Sequence, residues 1–311
     1  MSTHVPEPLP GAWHRGSAAG GSHELVARPA GVGLRDHVLG YRGFRFGAIR
    51  VRHRLMVPDG VVKVMLGFGD PLRVVDPFHP ARSGGAASLA NGVRTTAAIG
   101  EHTGLICGVT VLLTPLAAYR LFGVPLSEWA HMSVCPSDLC RAPWAGLPTR
   151  LAAMPDWESR FALLDEVLQA GLQAGPACSP EVAWAWQVLK RTAGRTRIAA
   201  LATETGWSRR HLERRFRRQT GLPPKGAAQV MRLQAALRLK EAGNSWADAA
   251  AQAGYHDQPH FDRTFKAMTG CTPSHFRAHR TAASPYDAQD FVPGQVTSAI
   301  LRNAGTRPPA A

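Results

Sequence analysis

The sequence lacks several patterns that would indicate an enzyme, a metal site or a membrane-spanning protein. It has five cysteines without a C-x-x-C pair, and it contains no H-x-H, H-E-x-x-H or G-x-S-x-G motif. Its longest apolar runs fall short of the ~20 residues that cross a bilayer. Acidic residues are scarce too, since the chain has 22 Asp and Glu but 36 Lys and Arg. These absences leave a strongly basic chain to be explained.

Single cysteines and histidines form no chemical pattern in the N-terminal half. We expect Cys107, in a predicted strand, to be a buried structural thiol rather than a nucleophile. The odd number of cysteines favours reduced and mostly buried thiols in a cytosolic protein. Trp129 and His131 follow a predicted helix, and a hydrophobic seam with the linker helix explains them better than a pocket. We expect no catalytic residue, metal or cofactor, because the remaining histidines of this half are scattered: His37, His53, His79 and His102.

Both ends of the chain have the composition of disordered tails. Residues 1–24 are rich in Pro, Gly, Ser and His, and they lack the apolar core of a signal peptide. Residues 281–311 contain four prolines and little periodicity. We therefore expect two disordered tails on a soluble, cytoplasmic protein.

The positive charge is concentrated near the C-terminus. The net charge is +14 and the isoelectric point is about 10.6, which favours a polyanionic partner. Residues 195–280 contain 16 Lys and Arg against 6 Asp and Glu, a net charge of +10. Their predicted helices have narrow apolar stripes, which fit packing in a small helical domain better than binding to a membrane surface.

The order of predicted elements indicates an α+β protein. Residues 25–140 read mostly as strands and form the predicted sensing or dimerisation domain, with the clearest strands at 47–55, 61–68 and 104–113 and a short helix at 116–122. Residues 71–92 are loop-rich, and a further strand beside them is left open. A linker over 141–180 contains a helix at 157–172, and an all-helical domain over 181–280 begins with a helix at 181–192.

One pattern occurs twice in the helical domain, at residues 199–221 and 247–270. Ala202 and Gly206 in the first copy match Ala250 and Gly254 in the second. Each copy predicts a small-residue helix, a glycine turn and a second helix with apolar residues four apart, which is a helix-turn-helix. A predicted helix at 229–242 joins the two copies. Two such units in one chain are suited to reading two successive turns of DNA, ~34 Å apart.

The second helix of the first copy is dense in arginine. Ser208 is placed to cap it, and Leu212 and Phe216 form its buried side. An arginine on such a helix can bond bidentately to guanine in the major groove, while others meet phosphates. The predicted DNA-binding residues of this copy are Ser208, Arg209, Arg210, Glu213, Arg214 and Arg217.

The second copy has a turn that is one residue longer and a less charged helix. Asp257 is placed to cap this helix, and Pro259 fits its first turn. A carboxylate near base edges can accept a hydrogen bond from cytosine. The predicted DNA-binding residues here are Gln258, His260, Asp262, Arg263 and Lys266. Because the two helices differ, we expect them to read an asymmetric site.

Residues 180–277 resemble the DNA-binding domain of the AraC/XylS family of bacterial transcription regulators. The matching motifs are LA-x3-G-x-S-x3-L-x-R-x-F-x4-G from residue 201 and GYHDQPHFDRTFKAMTGCTP from residue 254. The resemblance implies base contacts by Arg210, Glu213 and Arg214 in the first unit. In the second unit it implies base contacts by Gln258, Pro259, Asp262 and Arg263, although Pro259 has no side-chain donor.

The N-terminal half resembles the sensor domains of the same family more weakly, through GVTVLLTPLAAYRLFGVPLSEWAHMSV. This resemblance implies a small, barrel-like β-rich domain that binds a small-molecule effector or mediates homodimerisation, with an unidentified effector site. It also implies double-stranded promoter or operator DNA and RNA polymerase as partners. The main hypothesis is a sequence-specific transcription regulator and not an enzyme. Two alternatives stay open: an enzyme domain fused to a DNA-binding domain, and a nonspecific architectural DNA binder.

Overall fold

A computed structural model describes residues 13–18, 21–140, 144–281 and 295–301 of the protein. Within these residues ten strands form one sheet, in which every pair of neighbours is antiparallel. The strands are β1 (Trp13–Ala18), β2 (Gly21–Arg28), β3 (Val38–Met56), β4 (Val62–Gly67), β5 (Leu72–Val75), β6 (Gly84–Ala86), β7 (Leu89–Asn91), β8 (Ala98–Leu113), β9 (Ser133–Val134) and β10 (Ser298–Leu301).

Two long strands, β3 and β8, organise the sheet. They pair from Val38↔Leu113 to Met56↔Ala98, and their register shifts between Ala48 and Arg52. The first half of β3 pairs with β2 and its last residues pair with β10, while β8 pairs with β4 at one end and with β5 at the other. An irregular register bends a strand pair, so the long pair contributes to both halves of a curved sheet. This is the β-rich, barrel-like N-terminal domain that the sequence predicts.

Most of the helices follow β1 to β9 in the chain. The helices are α1 (Pro115–Phe122), α2 (Pro136–Leu139), α3 (Leu147–Ala153), α4 (Trp157–Ala174), α5 (Pro180–Arg191), α6 (Ile198–Glu204), α7 (Arg209–Thr220), α8 (Pro224–Glu241), α9 (Trp246–Gln252), α10 (Gln258–Thr269) and α11 (Pro273–Thr281). Of these, α1 lies before β9, and β10 lies after the last helix. The α+β class is therefore as predicted, with the helices concentrated in the C-terminal region. Among the helices of the described ranges, none combines the length and the apolar character needed to span a membrane.

One continuous hydrophobic core joins the sheet to the helices. Tyr41 of β3 stacks on Phe161 of α4 at 5.6 Å between ring centroids, and its hydroxyl donates to Asp165 at 2.7 Å. Trp129 is buried, with its ring edge-on to Phe122 at 5.1 Å. Trp129 therefore packs in the hydrophobic core against α1, while the predicted seam with the linker helix stays a prediction.

The predicted tails were wrong where the structure describes them. Residues 13–18 and 21–24 lie in β1 and β2, and residues 298–301 form β10 on the edge of β3. Such short strands are held in the sheet by backbone hydrogen bonds to their neighbours. Their sequences therefore show little alternation of apolar and polar residues. Thr281 ends α11 and residues 295–297 lead into β10, while the remainder of both predicted tails lies outside the described residues.

Three further expectations differ from the structure. The helix predicted at 229–242 begins five residues earlier, because Pro224 is favourable in a first turn. The cysteines are free thiols, but Cys107 alone is fully buried and the other four are half-buried. The loop-rich stretch over 71–92 holds three short strands, β5, β6 and β7.

Candidate nucleic-acid interface

The first helix-turn-helix unit is formed by α6 and α7. Gly206 in the turn has a φ of +69°, a value that glycine adopts without strain. The hydroxyl of Ser208 accepts a hydrogen bond from the His211 N–H at 3.2 Å and caps α7. Leu212 and Phe216 are completely buried. Local sequence therefore determines where α7 begins and which face of α7 is buried. The opposite face is left towards solvent.

The outer face of α7 is strongly basic. Arg210, Arg214 and Arg217 are exposed and follow one another at spacings of four and three, so they lie on one side of the helix. Arg209 is also exposed, and its Nε lies 3.3 Å from Oε1 of the half-buried Glu213. The structure thus brings five predicted site residues to one surface, with Ser208 at its start.

The second unit is formed by α9 and α10. A carboxylate oxygen of Asp257 accepts from the His260 N–H at 2.6 Å, while its other oxygen lies 2.9 Å from Nδ1 of His256. These two hydrogen bonds, the one to His256 first, lower the pKa of Asp257. Phe261 and Phe265 are fully buried. The predicted cap and the predicted apolar stripe are both present.

The outer face of α10 is less charged than that of α7. Gln258, Arg263 and Lys266 are exposed, whereas Asp262 and His260 are half-buried. The His260 ring lies edge-on to Tyr255, with 5.6 Å between centroids. Packing against Tyr255 restricts the imidazole, so Gln258, Arg263 and Lys266 are the more accessible side chains.

A cleft separates α7 from the N-terminal domain. Its volume is about 670 Å³, and its α7 wall consists of basic side chains and Glu213. The opposite wall includes Pro125, Ser127 and the exposed Glu128, near a single 3-10 turn at Leu126–Glu128. The α7 side chains that line the cleft are Arg210, Glu213, Arg214, Arg217 and Arg218. Much of the predicted α7 site therefore faces another part of the same chain.

Residues 92–97, which we call the docking segment, hold the N-terminal domain against both units. A Cβ on Gly221, at the end of α7, would overlap the Val93 side chain. The Ala97 N–H donates to the carbonyl of Met268 in α10 at 2.7 Å. The segment thus contacts the C-terminal ends of both outer helices, α7 and α10.

A buried ion pair fixes the docking segment from within the N-terminal domain. Arg94 donates to the fully buried carboxylate of Asp76 at 3.2 Å and to the hydroxyl of Ser133 at 3.1 Å. His131 donates its backbone N–H to the Val93 carbonyl at 2.9 Å, and it has a φ of +65°. This arrangement was not predictable from the sequence, because no local pattern connects Asp76, Arg94 and Ser133.

Cys107, the residue weighed as a nucleophile, has the environment of a structural thiol. It is 6% exposed, and this burial raises its pKa. Arg45 and Arg160 act in the opposite direction but do not outweigh the burial. A thiol with a raised pKa is a weak nucleophile at neutral pH, so the environment of Cys107 disfavours a cysteine-dependent enzyme.

Comparisons with known proteins match the C-terminal region. Residues 201–279 match a family model described as a helix-turn-helix domain. The chain is 42% identical over 60 residues to an uncharacterized HTH-type transcriptional regulator, YbfI of Bacillus subtilis (strain 168), which covers 19% of this chain and 22% of that protein. It is 33% identical over 81 residues to the HTH-type transcriptional regulator MtrA of Neisseria gonorrhoeae, covering 26% and 27%.

These alignments leave most of each protein unmatched, since the chain spans about a quarter of the length of either relative. Among solved structures, ToxT from Vibrio cholerae is similar with a TM-score of 0.42 at 12% sequence identity. That alignment covers 75% of this chain and 95% of ToxT.

Proposed function

We propose that the protein binds double-stranded DNA sequence-specifically and regulates transcription. The premise of this proposal is that the C-terminal domain belongs to the AraC/XylS family. One observation carries the proposal. Two capped helices, α7 and α10, each bury an apolar pair against the core and turn polar and basic side chains outward. A helix of this kind fits the major groove, where base edges carry sequence information.

We assign different roles to the two outer helices. On α7, Arg210 and Arg214 contact base edges together with Glu213, while Arg209 and Arg217 approach phosphates on the flanks. Ser208 lies at the start of this helix and approaches the DNA backbone. On α10, the proposed contacts come from Gln258, His260, Asp262, Arg263 and Lys266, with fewer charges than on α7. An unequal pair of helices reads an asymmetric DNA site.

We further propose that the N-terminal domain controls this DNA-binding domain in response to a small-molecule effector. The continuous core and the docking segment support this, because a shift in the sheet would change the support of both outer helices. In this proposal the protein is a cytoplasmic regulator rather than an enzyme. The proposed protein partners of this regulator are RNA polymerase and a second copy of the same chain, with which it forms a homodimer.

The experiment that tests DNA recognition is selection of binding sites from a random duplex library with the full-length protein. The selected duplex and a scrambled duplex of the same composition are then compared by fluorescence anisotropy at one fixed salt concentration. We expect the selected site to bind at least ~10³-fold more tightly. Equal affinities would instead identify a nonspecific architectural DNA binder.

A further inference from the structure

Three parts of the DNA-binding domain meet at one point of its surface. Arg195 precedes α6 in the first unit, Arg232 lies midway along α8, and Gly254 and Tyr255 belong to the turn of the second unit. A Cβ added to Gly254 would lie 3.1 Å from Cγ of Arg195 and 4.0 Å from Cδ of Arg232. We call these four residues the junction corner, because both units and the helix that joins them contribute to it.

The two arginines of the junction corner are positioned but not neutralised. Nε of Arg195 donates to the Thr192 carbonyl at 3.2 Å, and the Arg232 guanidinium lies over the Tyr255 ring, 5.7 Å from its centroid. In the described ranges of the chain, neither arginine forms an ion pair with a carboxylate. Two uncompensated positive charges therefore lie close together.

The junction corner also has more hydrogen-bond donors than acceptors. Tyr255 is 6% exposed, and no described residue accepts a hydrogen bond from its hydroxyl or from Nε of Arg232. Burial raises the pKa of Tyr255 to about 12, so the hydroxyl keeps its proton at neutral pH. Asp257, the carboxylate of the same turn, is already bound to His256 and to the N–H of His260. Unpaired buried donors are costly, so the corner favours a ligand that accepts hydrogen bonds.

The position of the junction corner matches that of the DNA backbone in a helix-turn-helix complex. In such a complex the N-terminal residues of the recognition helix contact base edges, and the helix before it crosses the backbone. The turn of the junction corner leads directly into α10, and Arg195 lies three residues before Ile198, where α6 begins. This placement puts the corner where the backbone passes from one major-groove segment to the next.

A phosphodiester group suits the chemistry of the junction corner. Its anionic oxygens only accept hydrogen bonds, and the planar guanidinium group matches their geometry with paired donors. Arg195 is exposed and Arg232 is half-buried, so the two guanidinium groups are reached from solvent. The Tyr255 ring beneath Arg232 limits the orientations of that side chain and lowers the entropy lost on binding.

We propose that the junction corner binds one phosphate of the DNA backbone, between the two recognition segments, through Arg195 and Arg232. Tyr255 is a positioning residue that supports Arg232 by its ring. The inference rests on the proposed function, because it names a further contact with the same DNA. A phosphate held by both units at once also fixes the distance between the two major-groove segments that α7 and α10 read.

The salt dependence of DNA binding tests the two arginines. Anisotropy measures the affinity of the full-length protein for the selected and the scrambled duplex over a range of salt concentrations. Arg195→Met and Arg232→Met should each weaken both duplexes by the same factor, about tenfold at low salt, and lower the slope of log Kd against log salt by about 1. Arg150→Met, which removes an exposed arginine on α3, is the matched control and should change neither quantity.

Two results of this assay would overturn the proposal. One is an unchanged affinity and salt slope in both methionine variants, with thermal melting showing that they are folded. The other is a loss confined to particular base pairs, which would make the arginines base-reading residues. Arg232→Lys keeps the charge without the planar fork and should retain part of the affinity, so it tests the position even if Arg232→Met does not fold.

Neutral linkages in the DNA locate the contact. Each phosphate of the selected duplex is replaced in turn by an uncharged methylphosphonate. The wild type should lose about tenfold in affinity at one or two linkages between the two major-groove segments. Arg195→Met and Arg232→Met should lose little more at those linkages, because the contact is already missing. Equal further losses in the variants and the wild type at every linkage would place the phosphate elsewhere and overturn the assignment.

The positioning role of Tyr255 has its own readout. Tyr255→Phe keeps the ring and should retain the loss at the central methylphosphonate linkages. Tyr255→Leu removes the ring and should reduce that loss to the value of Arg232→Met, while the preference among base pairs stays the same. A folded Tyr255→Leu variant that responds to the central linkages like the wild type would overturn the role of the ring.

Free phosphate is the other source of the same anionic group. Isothermal titration calorimetry with inorganic phosphate and the full-length protein without DNA should show no binding at millimolar concentration, because one corner of this kind does not enclose the ion. Binding that Arg195→Met and Arg232→Met abolish, together with no loss at the central linkages of the DNA, would assign the corner to a free anion and overturn the proposal.

The same assays separate this inference from the proposed function. A wild type that binds the selected and the scrambled duplex equally, while both methionine variants bind each more weakly, would overturn sequence-specific recognition and keep the phosphate contact. A wild type that prefers the selected duplex, with methionine variants that bind like it, would overturn the junction corner alone.

Discussion

Arg214 and Arg263 occupy corresponding positions in the two repeats, and both are exposed on the outer faces of their helices. Each follows an acidic residue, Glu213 or Asp262, that is only half-exposed. The sequence predicted both arginines as base-reading residues, and the structure leaves their side chains accessible. Their roles on DNA remain predictions.

Arg214→Ala and Arg263→Ala should each reduce the free energy of binding by about 1–3 kcal/mol at particular base positions. The reason is the loss of a bidentate bond to a guanine edge. The measurement is anisotropy with the selected duplex and its single base-pair variants, and Arg150→Ala serves as the control. A loss that is uniform across all duplexes would make these arginines phosphate contacts instead.

His131 is the residue whose titration bears most directly on the docking segment. Burial, followed by the charges of Arg82 and Arg94, lowers its pKa to about 4, and Asp76 only partly offsets them. The nearby His79 also lowers it. An unfolded histidine titrates near 6.5, so between these two values the unfolded chain binds more protons than the folded one.

The free energy of unfolding should therefore fall as the pH is lowered from about 6.5 towards 4. His131→Asn should flatten this dependence, since asparagine tolerates a positive φ and does not titrate. Urea unfolding at several pH values measures the slope, with His275→Asn as a control for loss of an exposed histidine. An identical slope in His131→Asn and the wild type would contradict this account.

At the scale of elements, α7 differs from an isolated helix in how it ends. Gly221 has a φ of +84° and is buried against the docking segment, whereas Gly206 has a φ of +69° with no neighbouring atom within 4 Å of an added Cβ. Both glycines adopt a positive φ, which favours glycine at both positions. Only at Gly221 would an added Cβ also overlap a neighbouring side chain.

Gly206→Ala should lower the free energy of unfolding by about 1–2 kcal/mol, through the cost of a positive φ alone. Gly221→Ala should cost about 1–3 kcal/mol more, because its methyl group overlaps Val93. Urea unfolding of the full-length variants measures both. Equal losses would show that the N-terminal domain yields easily at this contact.

At the scale of the whole molecule, the cleft between α7 and the N-terminal domain places an acidic group beside the proposed DNA surface. Glu128 lines the same cleft as Arg210 and Arg214, and it is exposed. A phosphate that approaches α7 is repelled by this carboxylate, and salt screens such repulsion.

Glu128→Ala should therefore raise the affinity for DNA by a few-fold at low salt, with a smaller gain at higher salt. Anisotropy at two salt concentrations measures the change. Glu166→Ala, which removes an exposed carboxylate from α4, is the matched control. An unchanged affinity for Glu128→Ala would mean that DNA does not approach this side of α7.

The sequence by itself determined the two helix-turn-helix units. Their signals are local: Ser208 and Asp257 cap helices that begin within one residue, and Leu212 and Phe216 mark a buried face by their spacing. Apolar runs also predicted the strands at 61–68 and 104–113, which the structure has as β4 at 62–67 and as the last ten residues of the longer β8.

Only the tertiary structure decided how the two halves meet. Gln234 donates to the carbonyl of Pro58, a partner 176 positions away, and Arg94 pairs with Asp76, which directly follows β5. β10 joins the sheet from beyond the last helix, in a region whose composition indicated disorder. Such contacts join single residues far apart in the chain, where no repeating spacing exists, so the packed fold alone brings them together.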